Sequence, residues 1–120
     1  MRISQILINE AIITTVSDPV DVSLATKLAL QLKASSVASG NGVFTIEVSN
    51  DGGVTWTAYN RLISNLANSN VQGDTKVASV TLNSNASAMV YFPASDFIGM
   101  LRVTVTRTTD GKYSAIILGV

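Results

Sequence analysis

A chain of 120 residues carrying equal numbers of basic and acidic side chains, eight of each, and only 13% charged residues in all is expected to form one domain with a hydrated but weakly charged surface. It contains no cysteine and no histidine, which excludes disulfides, thiolate nucleophiles, Cys/His metal sites and every Ser-His or Cys-His catalytic arrangement. No basic run provides the electrostatic footprint of a nucleic-acid binder or of an anionic membrane surface, so neither partner is expected.

The first element is "MRISQILINEAIITTV". Asn9 and Glu10 split its apolar run and no small-residue cleavage site follows, so it does not read as a signal peptide, and it is too short to span a bilayer. It reads as strands over 2–8 and 11–17, closed by Asp18-Pro19. Residues 1–17 form an N-terminal strand or arm, and residues 18–120 a single domain. Ile3, Ile6, Ile8, Ile12 and Ile13 exceed what a solvated tail carries, which marks the arm as an interface that packs on the domain or extends onto a neighbouring copy.

From residue 27 the period is two. In "KLALQLKA" Leu28, Leu30, Leu32 and Ala34 share a face opposite Lys27, Gln31 and Lys33. In "VFTIEVS" Phe44, Ile46 and Val48 oppose Thr45, Glu47 and Ser49, and in "LRVTVTR" Leu101, Val103 and Val105 oppose Arg102, Thr104 and Thr106. Each is the pattern of an antiparallel strand with one wet face. Further strands are expected at 54–59, 76–82, 87–92 and 112–119. Between the strands lie "SSVASGNG", "NSNVQGDT", "NSNAS" and "TTDGK", whose Asn-Gly and Asp-Gly pairs supply the positive φ angles of tight turns. "YNRLISNLANS" reads either as a short helical turn with Leu62, Ile63 and Leu66 on its apolar face or as a strand followed by a loop. About eight short strands with frequent turns predict an all-β, antiparallel sandwich of jelly-roll type. An immunoglobulin-like order is the alternative, without the Cys…Trp…Cys spacing.

Within "IEVSNDGGVTW" a strand enters an Asn-Asp-Gly-Gly reversal and leaves at the single tryptophan. Asp51 is placed to accept turn amides as in an Asx-turn. Ser49, Asp51, Gly53 and Trp56 resemble the Asp-box of sialidases and related propellers, a hairpin device remote from the active site. It recurs in several blades there and occurs once here, and neither the family's arginine triad nor its tyrosine nucleophile is visible, so the resemblance implies a hairpin and no hydrolase. Similar hairpins occur in discoidin-like sandwiches, some of which bind sugars. More broadly, "GVFTIEVSNDGGVTWTAY" and the Ser/Thr/Asn-rich, cysteine-free composition resemble small virion proteins of tailed bacteriophages, including head-decoration and tail-associated sandwiches. That resemblance implies a structural protein of the virion, a multimer bound to capsid or tail subunits.

The expectation is therefore a non-enzymatic protein without catalytic residues, cofactor or metal. It would be homo-oligomeric, with a trimer favoured, located in the virion, and attached to coat or tail subunits by shape. The alternative is a carbohydrate- or receptor-binding module presenting Trp56 beside Tyr59. Glu47 and Asp51 do not make a glycosidase pair, since one lies on an outward strand face and the other in a turn. Asp18, Asp21, Asp74 and Asp110 lack the spacing of a calcium loop. Asn85-Ala86-Ser87 fits a glycosylation acceptor but reads as a turn, and Arg102 and Arg107 are solvated or interfacial.

Overall fold

The computed structural model describes residues 2–59, 62–66, 75–77, 79–92 and 98–120. Among them the chain is all strand and turn. The strands are β1 (Ile3–Ala11), β2 (Thr15–Val16), β3 (Val20–Asp21), β4 (Leu28–Ser35), β5 (Asn41–Ser49), β6 (Thr57–Ala58), β7 (Leu62–Leu66), β8 (Thr75–Val77), β9 (Ser79–Leu82), β10 (Ala86–Tyr91), β11 (Met100–Thr108) and β12 (Lys112–Gly119).

They form two antiparallel sheets. Sheet A has the order β1-β12-β4-β10-β7-β8; sheet B has β2-β11-β5-β6, with β3 also on β11 and β9 also on β5. The pairing is nested. The first strand meets the last, β2 and β3 meet β11, β4 meets β10, and β5 meets β9. This is one long hairpin whose successive rungs alternate between sheets. Rolling it up adds the contacts β12·β4 and β11·β5 and closes a jelly-roll sandwich.

The alternation read from the sequence fixes the inward faces. Leu30, Leu32, Val90, Tyr113, Ala115 and Ile117 of sheet A meet Phe44, Ile46, Leu101, Val103 and Val105 of sheet B, all fully buried. Tyr113 packs edge-on against Phe44, with ring centroids 6.2 Å apart. Gly42 is required by this packing, because a Cβ there would come within 2.5 Å of the Tyr113 ring.

Several boundaries differ from the sequence reading, each for a local reason. The run 11–17 breaks after Ala11, where the chain leaves β12, and resumes on β11 as the two-residue β2. Ser17 then extends that edge with its side chain: Val103 N–H donates to Ser17 Oγ at 2.9 Å, while Ser17 N–H donates to Val103 O at 2.8 Å. Residues 62–66, open between helix and strand in the sequence, are a strand between β10 and β8. The expected strand 76–82 is two strands in different sheets, β8 on β7 and β9 on β5. The return expected at 54–59 pairs with β5 only from Thr57 onward, where Thr57 and Ala58 form the ladder and Tyr59 N–H donates to Ile46 O at 2.8 Å.

The N-terminal segment lies on the domain's own sheet. β1 pairs with β12, with register shifts between Ile6 and Ile8 and again between Ile8 and Ala11. These bulges divide the isoleucines: Ile3 and Ile8 enter the core, whereas Ile6, Ile12 and Ile13 remain exposed.

Candidate functional site

The hairpin at 49–56 is held by its own side chains. Ser49 is buried at the end of β5 and donates through Oγ to Asp51 Oδ1 at 2.7 Å. The same oxygen accepts the Gly53 N–H at 3.0 Å, and Asp51 Oδ1 accepts the Thr55 N–H at 2.9 Å. Gly52 and Gly53 have φ of 75° and 87°, a region that side chains with a Cβ rarely adopt. The Thr55 amide, then the Ser49 hydroxyl, favour the ionised carboxyl and lower the Asp51 pKa to about 2. Next to it, Asn50 Oδ1 accepts the Gly99 N–H at 2.6 Å and ties the hairpin to the approach to β11. A carboxylate so engaged is an acceptor at a turn and is unsuited to carrying protons.

Trp56 lies half-buried on the outward side of sheet B, where the Arg102 guanidinium sits 4.4 Å from its ring centroid. Arg102 Nε in turn donates to Glu47 Oε1 at 3.1 Å, and Thr104 Oγ1 donates to the same oxygen at 3.3 Å. Glu47 and Arg102 are cross-strand partners in the β5·β11 register, which is why they meet. Tyr59 is turned inward, 8% exposed, with its ring 5.4 Å from that of Phe92. The Trp56–Tyr59 platform expected of a sugar site is thus not formed. Glu47 and Asp51 have separate partners, as their positions predicted.

The loop carboxylates are engaged in the same way. Asp21 Oδ1 accepts the Ser23 N–H and Oγ–H, and these bonds lower its pKa. The Asp110 carboxylate accepts the N–H groups of Ala38, Ser39 and Gly40 at 3.0–3.2 Å, again lowering its pKa. Asp21 pairs with the first residue of β11 and Asp110 follows its end, so the two lie at opposite ends of a nine-residue strand. Asp74 lies outside the described residues. Among those described, no three His, Cys, Asp or Glu side chains gather to hold a metal ion. Asn85 Oδ1 accepts the Val37 N–H at 2.9 Å, which ties the bend before β10 to the loop after β4. Arg107 Nε donates to Gly111 O at 2.9 Å.

The outward face of sheet A is the surface that the sequence reading missed. In one row across four strands, Ile6, Ile116, Gln31 and Met89 stand side by side; in the next, Ser4, Leu118, Ala29 and Tyr91 do so. Ile6 is 59% exposed, Leu118 49% and Tyr91 44%. The signal was present in "AIILGV", where three consecutive apolar residues, Ile116 to Leu118, break the alternation of β12. With one buried face required by the sandwich, Ile116 and Leu118 had to point outward.

No family model matches this chain, and no curated protein is significantly similar to it.

Proposed function

We propose that the chain is a non-enzymatic structural protein of a virion, a capsid-decoration or tail-associated jelly roll that binds coat or tail subunits and works as a homo-oligomer, with a trimer favoured. The observation that carries this reading is the number of large apolar side chains left in solvent. Ile6, Ile12, Ile13, Val16, Leu24, Val54, Tyr91, Leu118 and Val120 are all exposed on a chain of 120 residues. Scattered singly they would need no account, but Ile6, Leu118 and Tyr91 share one sheet face, and Ile12, Ile13 and Val16 follow within five residues of one another in the chain. The low charge supports the same reading, since such a surface can be covered by another protein with few ions to desolvate.

The engagement of Asp21, Asp51 and Asp110 in turns accords with a structural role for the loops. A glycan-binding reading loses the Trp56–Tyr59 pair it depends on, and the Trp56 ring is already stacked on Arg102.

The test is to isolate the particles and ask whether the chain remains with them through a density gradient at fixed stoichiometry. Retention with the coat or tail fraction is expected; a chain found wholly in the soluble fraction would sink the reading. Sedimentation velocity of the isolated chain reads the oligomer, with a trimer expected.

A further inference from the structure

We infer that the outward face of sheet A is the docking surface for a different protein, whose contact surface is apolar at its centre and acidic at its margins. This deepens the structural-protein reading and rests on it for the partner's origin. The apolar rows of β1, β12, β4 and β10 are bordered along the strand direction by cations. At one margin stand Lys33, between Ser114 and Ser87, and Lys112, opposite Ser35. At the other, Lys27 exchanges backbone hydrogen bonds with Val120, and Arg2 precedes Ile3. All four are exposed, and Glu10 is the single acidic residue on the described strands of this sheet.

The opposite side of the molecule carries the reverse bias. Asp18, Asp21, Glu47 and Asp51 lie on or beside the strands of sheet B, where Arg102 is paired with Glu47 and Arg107 donates to the Gly111 carbonyl, while Asp110 stands in the turn that joins the two sheets. Among the described residues the charges are therefore unevenly divided between the two faces.

That polarity selects the occupant. A second copy docked through the same face would set cationic margins against cationic margins, because a twofold interface repeats one patch on both sides. Stacking sheet A of one copy on the acidic side of the next would set its apolar rows against a face built largely of threonines, Thr45, Thr104 and Thr106 among them. An anionic bilayer would satisfy the lysines. However, these side chains, exposed at Ile6, Leu118 and Tyr91 and part-buried at Ile116 and Met89, stand in rows on a sheet and not on a projecting helix or loop. A flat protein surface with carboxylates at its rim meets both the shape and the sign.

The experiment places a photo-activatable benzophenone amino acid at position 118, and separately at position 104 on sheet B, in cells that make the chain naturally; cross-linked products are identified by mass spectrometry. In parallel, purified chain is tested for retention on particles assembled without it. Cross-linking from position 118, and not from 104, to a different protein through a carboxylate-rich segment is expected. Ile6→Asp, and Lys33→Glu with Lys112→Glu, each combined with the probe at position 118, should reduce that product at least tenfold, while Thr104→Asp leaves it unchanged. Circular dichroism confirms that the variants fold. A cross-link to a second copy, to lipid alone, to an uncharged or basic segment, or no cross-link at all, overturns the inference. If the partner proves not to be a virion subunit and particle retention fails, the docking face stands and the virion reading falls. If retention succeeds but position 118 reaches nothing, the reverse holds.

Discussion

At the scale of single residues, Ser49 does more than any charged group to shape the hairpin. Its hydroxyl links the Asp51 carboxylate to the Gly53 amide from a buried position. Ser49→Ala should destabilise the domain by about 1–2 kcal/mol through the unsatisfied groups it leaves, measured by chemical denaturation. Asp51 adds a pH dependence of known sign. Its pKa falls from the ordinary 3.8 to about 2 on folding, so its contribution is complete above 3.8 and is lost as pH drops towards 2. Asp21 and Asp110 shift in the same direction. Asp51→Asn should therefore lower Tm at pH 7, and the gap from wild type should narrow as pH falls from 4 to 2. A gap that is constant across that range would contradict the assignment. Trp56 reports on its own neighbour: Arg102→Ala should uncover the ring and increase acrylamide quenching of its fluorescence.

At the scale of elements, strand periodicity made much of the sheet structure legible. Leu30, Leu32, Phe44, Ile46, Val103 and Val105 point inward as their alternation requires. What the pattern could not convey is which sheet a strand joins. Residues 76–82 read as one strand because no glycine, proline, asparagine or aspartate interrupts them, yet β8 and β9 belong to different sheets. The two-residue β2, β3 and β6 are set by neighbours, being too short to carry a period of their own. The hairpin was legible because Asn, Asp and Gly have local chemistry. The fate of Trp56 was not, since its contact with Arg102 spans 46 positions and follows from the register of β5 on β11. Gly42→Ala tests that register, because the added methyl meets the buried Tyr113 ring. A loss of about 1–3 kcal/mol is expected from calorimetry or denaturant unfolding.

At the scale of the whole molecule, the two ends of the chain have unequal weight. β12 lies between β1 and β4, whereas β1 is the terminal strand of the described path through sheet A. Removing residues 112–120 should abolish cooperative unfolding. Removing residues 1–11 should leave a folded domain of lower Tm, distinguishable by far-ultraviolet circular dichroism during heating. The outward apolar rows contribute little to that stability, so Leu118→Lys should change unfolding free energy by less than about 0.5 kcal/mol.

The nesting of the strands also dictates an order of events during synthesis. Neither sheet has its central partner until the ribosome has released β11 and β12, since these are the strands on which the earlier ones assemble. Until then the oily sides of β4 and β5 have nothing complete to close on. The nascent polypeptide must wait, guarded by its own polar turns, and the domain closes in a single step once β12 is free to join.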